Sequence, residues 1–134
     1  MHTLNLSTTE KHQLIDITDE ITTALEQETI KDGICTVYAP HATAVILIME
    51  TDGAVDKDVL RSLSNLVPNN DSYAHAHGAP GHGAAHVQAA LFGPSESIPL
   101  ENGHLQLGTW QRVTFCELDG PRSDRKVFLQ VVGQ

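Results

Sequence analysis

Positively charged residues are scarce in this chain of 134 residues. Lysine and arginine together number 8 against 17 acidic residues, which gives a formal net charge of −9. Proteins that bind the phosphate backbone of nucleic acids need a surplus of basic residues, so this composition argues against a nucleic-acid partner. The longest apolar run, 44–49, is too short to span a bilayer. Residues 1–6 lack the basic and apolar regions of a signal peptide. We therefore expect a cytoplasmic protein with no membrane segment.

Cysteine is also rare, with two residues, Cys35 and Cys116, both in strand-like segments. A disulfide scaffold requires more cysteines in a shorter, secreted chain. We therefore interpret the two thiols as small hydrophobic side chains in the core.

Histidine, by contrast, is abundant, with eight residues in the chain. Four of them fall within one short segment: His75, His77, His82 and His86. Imidazole is a common neutral metal ligand, but the spacing matches neither H-E-x-x-H nor a C-x-x-C pair. A metal site and a solvated polar loop both fit the pattern at this point. Three others lie near strand ends or turns and are predicted at the surface: His2, His12 and His104.

Hydrophobic periodicity predicts one α+β domain over 1–134. Apolar stripes predict helices at 19–28, 54–66 and 84–92, and an irregular stretch at 69–83. About eight β-rich runs accompany them, among them a 43–49 segment that is apolar on both faces and is predicted to be a central, buried strand. Asn102-Gly103 predicts a hairpin. The pattern favours largely antiparallel sheets packed as a sandwich with about three helices.

Two features are candidates for anion binding. Gly78-x-x-Gly81-x-Gly83 is neither a Walker sequence nor a dinucleotide fingerprint, but it leads into a helix start, where free N–H groups favour an anion. Arg122 and Arg125 lie in the last loop, where they could clamp a phosphate. The alternative is that these arginines simply pair with the neighbouring aspartates.

His41 and Glu50 flank the predicted buried strand. An acidic residue at the end of an apolar strand either reaches solvent or serves a site, and the sequence leaves both alternatives open. His41 is distant in sequence from the histidine-rich loop, so only folding could bring it to His75 and His86.

Five ordered segments of this chain together resemble the YjbQ family. They are His41-Ala42-Thr43-Ala44, Tyr73-x-His75, His86-Val87-x-Ala89-x-Leu91-Phe92-Gly93, Pro99-Leu100-x-x-Gly103 with Gly108-Thr109-Trp110-Gln111, and Glu117-Leu118-Asp119-Gly120-Pro121-Arg122. The resemblance implies a compact α+β fold, a homotrimer and a histidine cluster that can hold a metal. Some members are named secondary thiamine-phosphate synthases.

Carried over residue by residue, the resemblance implies the metal ligands His41, His75 and His86. It implies catalytic roles for three residues: Glu50, Glu117 and Arg122. Together with the anion-site argument it gives five residues for substrate binding: Gly83, Thr109, Trp110, Gln111 and Arg125. Two positions depart from the family pattern, Met49 where asparagine is common and Ala84 where many members have a histidine. His77 and His82 receive no role.

Three neutral imidazoles suit Zn²⁺ or a similar divalent ion with one open coordination position, and they suit Mg²⁺ poorly. We therefore expect a metal-dependent enzyme acting on a small phosphorylated metabolite, with thiamine-phosphate formation as the specific reaction. In that hypothesis Arg122 helps to hold the anion, and Glu50 or Glu117 acts as general base. The alternatives are a metal-dependent esterase or phosphoesterase and a trimeric, non-catalytic metal- or metabolite-binding protein.

Overall fold

The computed structural model describes residues 1–70 and 72–134. Within them the chain forms eight strands and three helices. In chain order these are β1 (His2–Leu6), β2 (Gln13–Asp16), α1 (Thr18–Glu26), β3 (Gly33–Tyr38), β4 (Ala44–Met49), α2 (Gly53–Leu66), α3 (His82–Phe92), β5 (Ser95–Glu101), β6 (His104–Leu105), β7 (Arg112–Glu117) and β8 (Arg125–Gly133). None of the helices in the described ranges has the length and apolar character needed to cross a membrane.

The strands form two antiparallel sheets, as the sequence predicts. One sheet has the order β1-β8-β3-β5-β6 and the other the order β2-β7-β4. Strand alternation directs one side of each sheet inward: in β8, Val127, Leu129 and Val131 are buried while the residues between them are more exposed. These side chains pack with Val113 and Phe115 of β7 in one core between the sheets. The predicted α+β sandwich is therefore confirmed.

A helical layer covers the outer side of the three-stranded sheet. Val45 and Cys116 on that side pack with Leu63 of α2 and with Ala85 and Ala89 of α3. Burial of this apolar surface fixes α3 against the sheet. The position of α3 matters because it carries two of the clustered histidines.

The start of α3 differs from the prediction by two residues. The helix begins at His82 rather than at residue 84, after Gly81 in the left-handed region at φ 84°. The Ala85 N–H donates to the Gly81 carbonyl at 3.0 Å, which closes the first turn around His82. The earlier start places His82 and His86 one turn apart on the same helix.

The prediction that 43–49 forms a central strand is wrong in one respect. β4 lies at the edge of its sheet, with β7 between it and β2. Its two faces are buried because Ile46 packs into the sandwich core and Val45 packs beneath α2 and α3. An apolar pattern on both faces of a strand indicates that other layers pack above and below it. It does not indicate whether the strand has hydrogen-bonded neighbours on both sides.

Two smaller predictions are confirmed. Asn102 and Gly103 both have positive φ, 52° and 80°, in the turn that joins β5 to β6. Cys35 and Cys116 are free and buried.

Candidate functional site

Three imidazoles converge at the start of α3. His75 comes from the preceding loop, while His82 and His86 project from the same face of the helix because they are four residues apart. One potential ligand atom from each of the three lies within 4.8 Å of the other two. The Nε2 atoms of His82 and His86 are 3.1 Å apart. In a tetrahedral zinc site the Zn–N bonds are about 2.0–2.1 Å long, which places two ligand nitrogens about 3.3 Å apart. The His82–His86 distance is therefore close to that of two zinc ligands.

Asp119 holds the His82 ring in place. Its Oδ2 lies 2.6 Å from Nδ1 of His82, and the carboxylate also accepts hydrogen bonds from Lys11 and Arg122. Burial raises the pKa of Asp119, but the hydrogen bonds from Lys11 and His82 outweigh it and lower that pKa to about 2. An ionised carboxylate only accepts, so Nδ1 of His82 carries a proton, and Nε2 is the ring nitrogen left to ligate a metal. A carboxylate that orients a histidine in this way is typical of metal sites in proteins.

Gly83 positions His75. A Cβ atom at Gly83 would lie 2.5 Å from the His75 carbonyl oxygen and 3.1 Å from Cβ of Tyr73. The loop therefore packs directly on the backbone of the first turn of α3, and only glycine permits this approach. The Tyr73 hydroxyl donates to the Pro68 carbonyl at 2.7 Å and joins the loop to the segment after α2. The role predicted for Gly83 was anion binding, whereas the contact seen here is with His75.

The cluster favours uncharged imidazole. Although His75 is exposed, partial desolvation, followed by the charges of His77 and His82, lowers its pKa. Burial, followed by the charges of His82 and His75, lowers the pKa of His86. Neutral imidazole is the form that ligates metals, so the donor set fits a divalent ion such as Zn²⁺.

The structure does not bring His41 to the cluster. Its Nε2 atom accepts a hydrogen bond from the backbone N–H of Lys126 at 2.9 Å. Burial and the nearby Arg125 lower the pKa of His41. His82, which received no role from the sequence, stands with His75 and His86 instead. The spacing of four residues between His82 and His86 is the sequence feature that could have identified His82. A helix predicted to start at residue 84 leaves His82 outside the helix, so the two histidines are not expected on one helical face.

Glu117 and Arg125 form a buried ion pair instead of a surface for ligand binding. Arg125 Nε donates to Glu117 Oε1 at 2.9 Å, and the two side chains are 7% and 0% exposed. Thr8 donates to the same carboxylate at 2.7 Å, while Arg125 donates to Thr43 Oγ1 at 2.9 Å. These partners satisfy both charged groups, so the pair stabilises the end of β7. This arrangement does not favour the predicted roles in catalysis and substrate binding.

Arg122 remains partly accessible beside the histidines. Its Nη2 donates to Oδ2 of Asp119 at 3.0 Å, with 44% of the side chain exposed. A cleft of about 330 Å³ lies here, lined by Gly78, Ala79, His82, Asp119, Gly120, Pro121 and Arg122. The predicted pairing with an aspartate is present, and the guanidinium still faces the cleft next to a potential metal ligand.

Glu50, Thr109 and Trp110 line a separate cleft of about 540 Å³ together with four other residues, Asp16, Thr51, Asp52 and Arg112. Gln111 lies beside this cleft, and its Oε1 accepts from the Gly108 N–H at 2.8 Å. Met49 pairs with Arg112 at this end of β4 and β7, whereas Ala44 pairs with Glu117 at the other. Five residue steps of strand separate the two ends by roughly 17 Å. Glu50 and Trp110 therefore do not reach the histidine cluster of the same chain.

The three histidines that the sequence predicts at the surface lie away from the cluster. His104 is exposed, as predicted, while His2 and His12 are half-buried. His2 Nε2 lies 3.1 Å from a Glu28 carboxylate oxygen. Burial and the adjacent Lys11 lower the pKa of His12.

Sequence comparison places these features in a family. The family model described as "UPF0047 protein YjbQ-like" matches residues 2–134. The UPF0047 protein YugU of Bacillus subtilis is 38% identical over 135 residues, covering 99% of each chain. A UPF0047 protein of Methanocaldococcus jannaschii is 38% identical over 129 residues, covering 96% of this chain and 91% of the relative.

Solved structures agree with the sequence relatives. A crystal structure of an uncharacterised YjbQ/UPF0047 family protein from Clostridium acetobutylicum has a TM-score of 0.90 at 40% identity, and the match covers 98% of this chain and 100% of that one. A YbjQ-like protein of unknown function from Sulfolobus solfataricus has a TM-score of 0.94 at 32% identity, over 99% of this chain and 96% of that one. The chain belongs to the YjbQ/UPF0047 family.

Proposed function

We propose that this protein is a metal-dependent enzyme that acts on a small phosphorylated metabolite, with His75, His82 and His86 as the metal ligands. The observation that carries the proposal is the convergence of three imidazole nitrogens within 4.8 Å of one another. When bound, a divalent ion such as Zn²⁺ would supply Lewis-acid chemistry toward a phosphate oxygen.

The protein residues around the three ligands have separable tasks in this proposal. Asp119 keeps Nδ1 of His82 protonated, so that Nε2 points its lone pair toward His86. Lys11 and Arg122 balance the charge of Asp119. His82 is thus held in place before an ion arrives, which reduces the ordering cost of binding.

The substrate class follows from the charges around the cleft beside His82. The chain as a whole is strongly acidic, so an anionic metabolite needs local cations. Arg122 lines this cleft, and its partly exposed guanidinium can bind two phosphate oxygens in parallel. A phosphate group is therefore the substrate feature that we expect this site to recognise.

For the specific reaction, we propose thiamine-phosphate formation, in which a thiazole phosphate replaces the pyrophosphate of a pyrimidine pyrophosphate. This assignment comes from the family resemblance. Hydrolysis of phosphoesters is the second candidate, because three ligands leave one position of a tetrahedral ion open to water. A non-catalytic metal- or metabolite-binding protein is the third.

We also expect the homotrimer that the family resemblance implies. A cytoplasmic location is expected as well, and it suits two free thiols.

The first test is metal uptake. Protein stripped with a chelator and dialysed against Zn²⁺ is expected to retain the ion stoichiometrically, and His104→Ala is the control because that histidine is exposed on the hairpin. His82→Ala and His86→Ala should retain little. The proposal fails if wild type retains no ion, or if both ligand variants retain as much as wild type.

The second test separates the reactions. Metal-loaded and chelator-treated protein are assayed with a pyrimidine pyrophosphate plus a thiazole phosphate, and with a panel of phosphoesters. Metal-dependent release of pyrophosphate supports the transferase, whereas metal-dependent release of inorganic phosphate or alcohol supports the hydrolase. If calorimetry shows tight binding of these compounds but no condition gives turnover, the hypothesis of an enzyme is wrong and that of a non-catalytic binding protein is supported.

A further inference from the structure

A fourth imidazole, His77, stands beside the three proposed ligands. The centroid of its ring lies 4.0 Å from that of His75 and 5.8 Å from that of His82. Its side chain is exposed. Among the described residues, none forms a hydrogen bond with the His77 ring. Neither the fold nor the proposed three-ligand site accounts for an imidazole at this position.

We propose that His77 is an exchangeable fourth ligand, which donates a ring nitrogen while no substrate is bound and yields its place to a phosphate oxygen. The inference rests on the proposed metal site and adds a ligand and a mode of regulation to it. Three imidazoles leave one position of a tetrahedral ion vacant, and an imidazole whose ring lies 4.0 Å from that of a ligand can compete with water for that position.

The backbone next to His77 is anchored to the site. Gly78 has φ 89°, and a Cβ atom there would lie 3.0 Å from Cδ2 of His82. The peptide that follows His77 therefore packs against a ligand ring. This contact keeps the His77 side chain beside the cluster, although its ring is not buried.

The His77 ring is exposed and forms no hydrogen bond to a described residue, which fits a replaceable ligand better than a permanent one. His82 and His86 are partly buried, and His82 is tied to a buried carboxylate. His75 is exposed as well, but its backbone carbonyl packs against Gly83 in the first turn of α3. The ring of His77 can rotate into solvent without breaking a hydrogen bond to any described residue or opening the core. His77 lines a small cavity that shares Gly78, Ala79 and His82 with the cleft of Arg122, so Arg122 would hold the incoming phosphate from the adjoining side as the imidazole leaves.

This arrangement predicts two effects of opposite sign in His77→Ala. Affinity for Zn²⁺, measured by competition with a chromophoric chelator, should fall by about tenfold, while His75→Ala should lose more. Binding of inorganic phosphate to the Co²⁺-loaded protein, followed by visible absorption, should become tighter because no imidazole has to be displaced. His104→Ala is the matched control and should change neither value.

The absorption spectrum gives an independent readout. Four-coordinate Co²⁺ absorbs visible light more strongly than Co²⁺ with additional water ligands. Without phosphate, His77→Ala should therefore lower the band intensity, and phosphate should bring wild type and variant to similar spectra.

The outcomes separate this inference from the proposed function. If wild type binds Zn²⁺ and His77→Ala matches it in metal affinity, phosphate affinity and spectrum, the fourth-ligand proposal is overturned and the three-ligand site stands. If His77→Ala weakens both metal and phosphate binding, the proposal of ligand exchange is also overturned, because phosphate then does not compete with His77 for a position on the metal. If wild type binds no metal, both proposals fail.

Discussion

The Nδ1 atom of His82 and the Oδ2 atom of Asp119 lie 2.6 Å apart, and only 5% of the aspartate side chain is exposed. The histidine belongs to the first turn of α3, while the aspartate follows β7. The contact thus joins a helix to the end of the sheet that it covers. It also sets which nitrogen of His82 is free to ligate.

Asp119→Asn should weaken metal binding without abolishing it. The amide oxygen can still accept a hydrogen bond from His82, but the negative charge that increases the basicity of the imidazole is lost. We expect Zn²⁺ affinity to fall by about 10–100-fold, as for other outer partners of metal-bound histidines. The measurement is chelator competition, with Asp124→Asn as the control on the same loop. An unchanged affinity in Asp119→Asn would show that the carboxylate has no such role.

Gly83→Ala should disturb His75 while the fold is retained. The added methyl group would meet the His75 carbonyl oxygen at 2.5 Å, so the loop must move away from α3. We expect weaker Zn²⁺ binding with little change in the far-UV circular dichroism. Gly53→Ala is the matched control, because a Cβ there has open space at the start of α2. Equal metal affinity in the two variants would contradict the packing argument.

Glu117→Gln should destabilise the protein most at neutral pH. Burial raises the pKa of Glu117, but hydrogen bonds from Arg125 and Thr8 outweigh it and lower that pKa overall. The carboxylate therefore contributes stability above its unfolded pKa of about 4.3, and this contribution is lost as the pH falls through the lower folded pKa. Removing the charge leaves Arg125 buried and unpaired, which costs about 3–5 kcal/mol.

Urea unfolding of wild type and Glu117→Gln at several pH values tests this prediction. The difference in the free energy of unfolding should be largest near pH 7 and should shrink below about pH 4. The double variant Glu117→Gln/Arg125→Met should be more stable than Glu117→Gln alone, because no uncompensated charge remains. A pH-independent difference would argue that the ion pair contributes nothing.

Gln88→Leu should lower stability and leave the metal site intact. The buried Gln88 amide on α3 donates to the Val67 carbonyl at 3.1 Å and to the Leu63 carbonyl at 3.4 Å, at the end of α2. Leucine has a similar size but removes the donor to the Val67 carbonyl, at a cost of about 1–3 kcal/mol. The Leu63 carbonyl still accepts from the Val67 N–H at 3.0 Å. Thermal or urea unfolding measures the loss, and Val87→Ala on the exposed side is the control. Retained stability in Gln88→Leu would mean that other groups satisfy the end of α2.

Trp110→Ala should leave metal binding unchanged. Trp110 is 72% exposed and lines the cleft with Glu50, at the opposite end of β7 from His82. Zn²⁺ stoichiometry and affinity in Trp110→Ala and Glu50→Gln should therefore equal those of wild type. A large loss of metal in either variant would mean that this cleft and the histidine cluster form one site.

Much of the fold follows from local pattern. The spacing of Ile17, Ile21 and Leu25 places α1, which extends over Thr18–Glu26 rather than the predicted 19–28. Alternation and the Asn102-Gly103 turn place the strands. These signals are local because backbone geometry sets both the helical and the strand period. The order of strands is not local, and for this reason the apolar pattern of β4 predicts a central strand although β4 lies at an edge.

The amino-acid pattern predicts the fold class, the family, and two members of the histidine cluster, His75 and His86. The third member depends on the folded chain, because His82 is brought to the site by the early start of α3 and by a contact with Asp119, 37 residues further along the chain. The fold also separates His41, Glu50 and Trp110 from that cluster. Residue identity and short-range spacing define which side chains can ligate or bind. The pairing of distant strands, driven by burial of their apolar sides, defines which of those side chains meet.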